Sequence, residues 1–272
     1  MTDLNPQLKQ MSDESMVRNL AAQAEAIWPQ ELPLLDRYGL AGELRILDAG
    51  CGTGEGAWRL AERYPQARVL GVDILDHHLE LARGRHMRLG ARLAFEHRSV
   101  YELGLPDASF DLVTCRHVLH SIPQADRVVA ELRRVTRPGG WLHLIPEDYG
   151  MLHFRKRDVD PDEFWSTGPA EFGRADGTDL FIGRHIVPLL EAAGLESIRM
   201  DFVVVDTLRA PRATFAQIIT AWRDGYVDAI AERTHFTAAE ATRYFDAMIA
   251  NILDPHGYAV WFVPVAGARR PA

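Results

Sequence analysis

Cysteines and long apolar runs are scarce in this sequence. Its 272 residues include two cysteines, Cys51 and Cys115, which cannot by themselves build a disulfide framework or a metal site. No run approaches the roughly 18 apolar residues that a membrane-spanning helix needs, and the first twenty residues lack the apolar segment of a signal peptide. These absences predict a cytoplasmic protein with no membrane association.

Basic charge is also in short supply. The formal net charge is −8 at pH 7, whereas a dedicated nucleic-acid-binding domain usually has a basic face. The short run FRKRD at 154–158 is expected to be a solvated loop or lid rather than a polyanion site. We therefore expect no nucleic-acid partner. A hydrophobic content of 47% is sufficient for a sizeable core.

Short apolar runs alternate with amphipathic stretches through the first half of the chain. Strands are predicted at 44–50, 67–74, 92–99, 109–117 and 138–147, and helices at 53–64, 76–90 and 123–136. Such alternation is typical of a parallel, doubly wound sheet with right-handed crossovers. The first half is therefore predicted to be an α/β core.

Less regular segments surround this core. The stretch 16–38 is predicted to be helical and broken by Pro29 and Pro33, and 150–178 is predicted to be an irregular insertion. The remaining elements are predicted as a helix at 182–195, a strand at 196–207, helices at 211–232 and 237–253, and a strand at 257–266. We expect one domain, 1–272, divided into an N-terminal helical segment (1–43), a ligand-binding core (44–149) and a cap (150–178 and 207–255).

Four glycines lie within seven positions of the stretch ILDAGCGTGEGAWRL at 46–60. The loop 50–56 joins the first strand to the first helix, at the edge of an open parallel sheet where ligands bind. Glycine lets a ligand approach the backbone without a Cβ in the way. The even spacing of Gly50, Gly52, Gly54 and Gly56 fits the dinucleotide pattern G-x-G-x-x-G poorly, and no Gly-Lys-Ser/Thr follows as in a P-loop. A different ligand is therefore expected.

Four motifs in order resemble those of the class I S-adenosylmethionine-dependent methyltransferases, in particular a small-molecule subgroup. They are LDAGCGTG at 47–54, VLGVDI at 69–74, PDASFDLVTCRHVLHSIP at 106–123 and ELRRVTRPGGWLHL at 131–144. The resemblance implies a Rossmann-like α/β fold: a seven-stranded, mostly parallel sheet with the last strand antiparallel, N-terminal helices and a helical cap. It also implies a methyltransferase that uses S-adenosylmethionine.

The resemblance further implies which residues hold the cofactor. Asp73, at the end of the second strand, would accept hydrogen bonds from both ribose hydroxyls, and Ile74 and Val100 would lie against the two faces of the adenine. Ser99 stands where the family usually has an aspartate, which implies less selectivity for the adenine amine. The methionine end is assigned to the N-terminal helix, the glycine loop and the end of the fourth strand: Gln23, Asp48, Gly50, Gly52, Gly54, Cys115, Arg116 and His117.

The reacting groups are expected at the ends of the fourth and fifth strands. His117, Glu147 and Tyr149 are the candidates for catalysis, followed by Asp148 and His153. Methyl transfer depends mainly on alignment of donor and acceptor, and it needs a general base only if the acceptor is still protonated. No clear pair of a histidine with an acid is visible, which slightly favours an amine or an electron-rich ring as acceptor. No cluster of ligands demands a metal ion.

Several other polar residues are expected to have structural roles. His120 is expected to be a structural hydrogen-bonding residue, and Arg184 to close the fold through salt bridges. His77, His78 and His185 are expected on helix surfaces.

The insertion and the helices after it are rich in aromatic residues, which suits a lid over a flat or apolar small molecule. These are Phe154, Phe164, Trp165, Phe172, Phe181, Phe215, Trp222, Tyr226, Phe236, Tyr244 and Phe245. Alternatives remain open: other chemistry with the same cofactor, a protein or RNA methyltransferase, or a cofactor-binding protein without turnover. A nicotinamide-dependent oxidoreductase is the least favoured. The chain is expected to be a monomer or a homodimer.

Overall fold

Eight strands of the described chain form one mixed sheet in the computed structural model, which describes residues 5–156 and 158–272. The strands are β1 (Arg45–Ala49), β2 (Arg68–Asp73), β3 (Leu93–His97), β4 (Phe110–Arg116), β5 (Thr136–Ile145), β6 (Leu152–Phe154), β7 (Glu196–Asp206) and β8 (Ala259–Arg269). Neighbouring strands follow the order β3-β2-β1-β4-β5-β8, with β7 also paired to β8. The pairs among β1 to β5 are parallel, whereas β8 is antiparallel to β5, β6 and β7. The predicted, mostly parallel sheet with an antiparallel last strand is confirmed.

The sheet contains one strand more than the seven that the sequence predicts. The additional strand, β6, pairs with residues 259–261 of β8, whereas β5 pairs with residues 266–269 of β8. Because β5 and β6 both run antiparallel to β8, β6 continues the direction of β5 after a break at 146–151. The break leaves Glu147, Asp148 and Tyr149 at the carboxyl end of β5.

Helices cover the sheet and build the cap. They are α1 (Leu8–Met11), α2 (Glu14–Asp36), α3 (Glu55–Arg63), α4 (Asp76–His86), α5 (Ala125–Val135), α6 (Pro161–Asp176), α7 (Ile186–Ala192), α8 (Arg212–Arg233) and α9 (Ala238–Leu253). Within the described ranges, none of them combines the length and the apolar character that crossing a membrane requires.

The predicted break in the N-terminal helix at Pro29 and Pro33 is wrong. Helix α2 runs without interruption through both prolines for 23 residues. Proline removes one backbone hydrogen bond from a helix interior, but these two prolines lie one turn apart on the exposed face, so the carbonyl groups that lose a donor can be hydrated. On the opposite face Ile27 and Leu35 are fully buried, and this packing outweighs the local preference.

The prediction of an irregular insertion at 150–178 is also wrong, because this segment contains β6 and the 16-residue helix α6. Its periodicity is weak in the sequence because glycine and proline separate the buried aromatic side chains Phe164, Trp165 and Phe172. The helix ends at a left-handed Gly177.

The predicted loop or lid at 154–158 overlaps the end of β6. Phe154 is the last residue of that strand and is buried in the cap. Arg157 lies outside the described residues.

The cap packs on the sheet through one apolar core. Buried side chains from α2, α6, α8 and α9 join Ile145 of β5 and Trp261, Val263 and Val265 of β8 in a single cluster. The aromatic side chains of the cap are therefore held close to the break after β5. The division of the chain into segment, core and cap stays a prediction.

Candidate active site

The glycine loop joins β1 to α3 at the carboxyl edge of the sheet. Gly50 and Gly52 have left-handed backbone angles, with φ of +74° and +52°, which glycine adopts at little cost. A Cβ on Gly52 would lie 2.7 Å from the side chain of Leu20, and a Cβ on Gly50 would collide with Val118. The loop therefore needs glycine for its conformation and for its close packing.

Two adjoining pockets, which we call the glycine-loop pockets, lie beside this loop. Both are lined by Gly50, Arg116 and His117. Ten of the twelve residues that the resemblance assigns to the cofactor line one or both of them: Gln23, Asp48, Gly50, Gly52, Asp73, Ile74, Ser99, Val100, Arg116 and His117. The other two are Gly54, which precedes α3, and Cys115, which is fully buried within β4. Neither lines the glycine-loop pockets.

Asp73 ends β2 in the larger of the two pockets. Its Oδ2 accepts a hydrogen bond from the amide of Gly52 at 2.8 Å, and its Oδ1 accepts one from the amide of Leu75 at 3.0 Å. Burial raises the pKa of this carboxyl, and the amide hydrogen bonds oppose the rise. Each carboxylate oxygen retains capacity for a further donor, so Asp73 can receive two hydroxyl groups at once.

A network of buried charges lies around the smaller pocket. The Arg116 guanidinium donates to Glu31 Oε2 at 2.8 Å, and His143 Nε2 lies 3.1 Å from Glu31 Oε1. Burial acts to raise the pKa of Glu31, but Arg116 and His143 outweigh it and the net shift is downward. Asp48 accepts a hydrogen bond from the Thr114 hydroxyl at 2.7 Å, and burial raises its pKa despite the nearby Arg116. The network fixes Arg116 against α2.

Apart from His117 Nε2, which is described below, two buried polar atoms of the smaller pocket lack hydrogen-bond partners within the described chain. They are Gln23 Oε1 and Arg116 Nε. A buried polar group without a partner costs about 1–3 kcal/mol, and such groups are rare in native proteins. Their presence here indicates a ligand that supplies both an acceptor and a donor.

The carboxyl ends of β4 and β5 bring His117 and Glu147 together. His117 Nδ1 and Glu147 Oε1 form a hydrogen bond, and the two side chains are 9% and 1% exposed. His117 Nε2 and Glu147 Oε2 have no partner among the residues that the structure describes. The sequence-based expectation that no histidine pairs with an acid is therefore wrong. Parallel neighbouring strands bring together residues that are 30 positions apart.

Both members of this pair have unusual backbone angles. The φ of His117 is +57° and that of Glu147 is +64°, a conformation that costs a non-glycine residue on the order of 1–3 kcal/mol and clusters at functional sites. The His117 amide donates to the Ile145 carbonyl at 2.9 Å, and the Gly183 amide donates to the Glu147 carbonyl at 2.6 Å. These contacts hold the two bends that turn the side chains toward each other.

His120 and Tyr149 form a second pair beside the first. The Tyr149 hydroxyl lies 3.4 Å from His120 Nε2, and the two rings meet edge-on at 5.5 Å. Burial lowers the pKa of His120 to about 4 and raises the pKa of Tyr149 well above its usual value. Both side chains are therefore neutral at physiological pH.

Acidification is expected to destabilise the folded protein through His120. The unfolded chain protonates this histidine near pH 6.5, but the folded chain does so only near pH 4. Between these values the unfolded state binds more protons, so stability falls as the pH drops through this window. From pH 7 to pH 5, His120 alone should lower the free energy of unfolding by about 2 kcal/mol. Urea denaturation at the two pH values measures this loss, which should be smaller by that amount in His120→Gln. An unchanged pH dependence in the variant would contradict the assignment.

An apolar cavity, which we call the aromatic cavity, lies under the cap. It leaves a volume of about 60 Å³ for the centres of water-sized molecules, and part of it is open to solvent. It is lined by Gln7, Tyr149, Phe164, Trp165, Gly168, Pro169, Phe172, Leu180, Trp222, Tyr226, Ile230 and Phe245. None of these lining residues carries a charge.

Two aromatic side chains connect the aromatic cavity with the His117–Glu147 pair. Tyr149 stacks on Trp165 at 5.7 Å and meets Trp222 edge-on at 5.4 Å. Trp261, which is fully buried, lies 5.4 Å from Trp222 and 6.3 Å from His117. Ring contacts therefore run from His117 through Trp261 and Trp222 to the lining of the aromatic cavity.

The remaining acidic and basic candidates after β5 are engaged elsewhere. Asp148 is fully buried and accepts two hydrogen bonds from Arg184, each of 2.7 Å, so the expected salt bridge of Arg184 is present. His153 is half exposed, with Nδ1 3.5 Å from Asp162 Oδ1. Among the described residues, no group of three or more histidine, cysteine or acidic side chains is arranged to hold a metal ion.

One histidine that was expected on a helix surface is buried. His78 is 2% exposed and lines the larger glycine-loop pocket, and burial lowers its pKa to about 4. It shares the inner face of α4 with Leu79 and Ala82. His77 and His185 are exposed.

Glu31 and Trp261 were not predicted from the sequence. A signal for Glu31 was present, because it lies four residues from Ile27 and from Leu35 and so shares the apolar face of α2, where a charged side chain needs a partner. No local signal distinguishes Trp261, whose position beside His117 depends on the pairing of β8 with β5 and β6.

The sheet order, the glycine loop and an acidic residue at the end of β2 define a Rossmann-like fold with its ligand site at the carboxyl edge of the sheet. Residues 46–140 match the family model of the methyltransferase domain. The chain therefore contains a class I S-adenosylmethionine-dependent methyltransferase domain, and the family predicted from the four motifs is confirmed.

Two curated relatives match only part of this chain, over a little more than 100 residues in each case. The 27-O-demethylrifamycin SV methyltransferase of Amycolatopsis mediterranei is 40% identical over 114 residues, which are 39% of this chain and 42% of the relative. The demethylmenaquinone methyltransferase of Deinococcus radiodurans is 39% identical over 101 residues, 37% of this chain and 42% of the relative. The chain thus spans less than half the length of these relatives.

A solved structure resembles the chain over its whole length. Phosphoethanolamine N-methyltransferase 2 of Haemonchus contortus, solved with S-adenosyl-L-methionine, has a TM-score of 0.63 and 18% identity, and the match covers 100% of this chain and 61% of that chain. At this identity the likeness shows the fold alone.

Proposed function

We propose that this protein transfers a methyl group from S-adenosylmethionine to a hydroxyl group of a small apolar molecule bound in the aromatic cavity. The observation that carries the proposal is the place of the His117–Glu147 pair. His117 lines the glycine-loop pockets, and Tyr149, two residues after Glu147, lines the aromatic cavity. The family match supports the cofactor. The relatives described above are named as methyltransferases of 27-O-demethylrifamycin SV and of demethylmenaquinone.

The glycine-loop pockets fit S-adenosylmethionine. Asp73 has capacity for two ribose hydroxyls, and the apolar side chains of Ile74 and Val100 suit the adenine. At the other end, Arg116 Nε suits the carboxylate of the methionine part and Gln23 Oε1 suits its amino group, which would satisfy both buried atoms. When bound, the cofactor supplies a methyl group that its sulfonium activates for in-line displacement.

The His117–Glu147 pair is positioned to remove the proton of the acceptor. The Glu147 carboxylate accepts a hydrogen bond from His117 Nδ1–H, which leaves the lone pair on Nε2. Nε2 would take the proton of the acceptor hydroxyl while that oxygen displaces the thioether, so that the methyl–sulfur bond breaks and S-adenosylhomocysteine leaves, and Glu147 would stabilise the imidazolium that results. General base catalysis of this kind contributes typically about 10²- to 10⁴-fold to the rate.

The His117–Glu147 pair favours a different methyl acceptor from the one expected from the sequence. An amine or an electron-rich ring is favoured only where no base is available. A hydroxyl group, which must lose its proton, gains most from a base. The aromatic cavity accommodates the apolar part of such an acceptor, because its stacked and edge-on rings provide flat surfaces.

The proposal is tested by incubating the protein with S-adenosylmethionine carrying a deuterated methyl group and a panel of small phenols and aromatic alcohols. Mass spectrometry is expected to find deuterated O-methyl ethers. If the protein binds S-adenosylhomocysteine but methylates only amines or ring carbons, the assignment of a hydroxyl acceptor is wrong.

A change in the wall of the aromatic cavity is expected to affect the acceptor and not the cofactor. Trp165→Ala removes the ring that stacks on Tyr149, so the KM for the acceptor should rise about tenfold or more. The Kd of S-adenosylhomocysteine, measured by calorimetry, should change less than about twofold, a factor worth about 0.4 kcal/mol.

Trp58→Ala is the matched control for this prediction. Trp58 is a partly buried tryptophan of α3 that packs beside Arg59 and lines neither the aromatic cavity nor the glycine-loop pockets. Equal rises of KM in the two variants would show that the effect of Trp165→Ala is a general loss of stability.

A further inference from the structure

The carboxamide of Gln7 is a polar group in the wall of the otherwise apolar cavity. Gln7 immediately precedes α1, is 2% exposed and lines the aromatic cavity. Its Oε1 accepts a hydrogen bond from the Tyr226 hydroxyl at 3.2 Å. Its Nε2 has no partner within residues 5–156 and 158–272. One side of the carboxamide is thus fixed, and its donor side is left over.

A second donor in the same wall also lacks an acceptor. Trp165 Nε1 is buried and has no partner in the described part of the chain. Burial removes such N–H groups from water, and an unmade hydrogen bond there is costly. The two donors therefore indicate a ligand with acceptor atoms.

The lining also restricts the charge of the ligand. The twelve lining residues contribute no acidic or basic side chain, and burial of a charge without a counter-charge is strongly unfavourable. A carboxylate, a phosphate or an ammonium group would have no partner of opposite charge in this lining. The cavity therefore suits an uncharged molecule.

We propose that Gln7 determines specificity for the methyl acceptor by donating a hydrogen bond from Nε2 to a carbonyl-type oxygen of an uncharged, planar, apolar molecule. Tyr226 orients the carboxamide because its hydroxyl donates to Oε1. The inference rests on the proposed function, because it takes the aromatic cavity as the acceptor site.

Three probes with the same naphthalene ring separate hydrogen bonding from shape and charge. 2-Acetylnaphthalene has a carbonyl oxygen, 2-ethylnaphthalene has nearly the same shape without it, and 2-naphthoate has a negative charge. Their Kd values are measured by ligand-observed NMR with saturating S-adenosylhomocysteine. We expect 2-acetylnaphthalene to bind about fivefold to tenfold more tightly than 2-ethylnaphthalene, the gain from one hydrogen bond. We expect 2-naphthoate to bind at least about tenfold more weakly than 2-acetylnaphthalene.

Substitution of Gln7 assigns the difference to its carboxamide. Gln7→Leu should bring the ratio of the Kd values of 2-ethylnaphthalene and 2-acetylnaphthalene to about one. The Kd of 2-ethylnaphthalene should stay within about twofold of its value in the parent protein. Gln7→Met, which is closer in shape, serves if the leucine variant does not fold. Gln10→Leu is the matched control, because Gln10 lies in the same segment, is 7% exposed and stands outside the cavity lining. It should keep the parent ratio.

If 2-acetylnaphthalene and 2-ethylnaphthalene bind the parent protein with nearly equal Kd values, the inference is overturned. A ratio that persists in Gln7→Leu, or 2-naphthoate binding as tightly as the neutral probes, would do the same. If no probe binds, the cavity is not the ligand site and the inference fails. The affinity for S-adenosylhomocysteine in the same samples then shows whether the cofactor part of the proposed function still holds.

Discussion

His117→Ala is expected to lower kcat by about 10²- to 10⁴-fold, the usual contribution of a general base. The imidazole removed lines the glycine-loop pockets, and its Nε2 has no partner among the described residues, whereas the pocket surfaces assigned to the adenosine remain. The Kd of S-adenosylhomocysteine should therefore stay within about fivefold, that is within about 1 kcal/mol. Steady-state kinetics at saturating acceptor and calorimetric titration measure the two quantities.

Glu147→Gln separates the two members of the pair. Glutamine keeps the shape of the side chain but removes the charge that stabilises the imidazolium, so kcat should fall while cofactor affinity is unchanged. Raising the pH should not restore the parent rate, because the charge is missing at every pH. His153→Ala is the control, since this histidine of β6 is half exposed and lines neither the aromatic cavity nor the glycine-loop pockets. Full activity of His117→Ala, or an equal loss in His153→Ala, would contradict the role of the pair as a base.

Asp73→Ala is expected to weaken binding of S-adenosylmethionine and S-adenosylhomocysteine by about 100-fold or more. Two hydrogen bonds to a charged carboxylate are each worth about 1.5–3 kcal/mol, and their loss corresponds to a change of at least that size in Kd. The variant also removes the acceptor of the Gly52 amide at 2.8 Å, which loosens the glycine loop. Calorimetric titration of both ligands tests this.

Asp76→Ala provides the matched control for the loss at Asp73. Asp76 lies three residues further along, at the start of α4, with a side chain that is 72% exposed and paired with His97. It lines neither glycine-loop pocket. The Asp76→Ala variant should therefore bind the cofactor with the affinity of the parent protein. Parent-like affinity in Asp73→Ala would mean that the ribose is held elsewhere.

The edge of the sheet that holds Asp73 and the glycine loop was predictable from the sequence because it depends on local patterns. The strands β1 and β2 are short apolar runs, and each is followed directly by the residues that line the pockets, Gly50 and Gly52 after one and Ile74 after the other. Where the ligand-binding residues follow a strand within a few positions, the order of the strands is enough to locate the site.

The His117–Glu147 pair was not predictable as a pair. Each residue was visible as a candidate, but their contact depends on two left-handed bends, at φ of +57° and +64°. Only a few per cent of non-glycine residues adopt such a bend, histidine more often than glutamate, and the contacts that hold the bends come from Ile145 and Gly183. Local preference therefore pointed away from the geometry that tertiary contacts impose.

Helix α6 of the cap was not predicted for a related reason. Helix α6 contains Gly168, Pro169 and Gly173, which weaken a helical pattern, and its stability comes from burial of Phe164 and Trp165 in the core shared with β8. Helix α2 likewise keeps Pro29 and Pro33 because its other face is buried. In both helices long-range packing outweighs local preference, and a single sequence does not reveal such packing.

The most direct test of the account is a crystal structure of the protein with S-adenosylhomocysteine. We expect the ribose hydroxyls to lie on the Asp73 carboxylate and the sulfur to be directed toward His117, on the side of Tyr149 and the aromatic cavity. A ligand bound away from Asp73, or a sulfur directed away from His117 and the cavity, would contradict the proposed roles of Asp73 and of the His117–Glu147 pair.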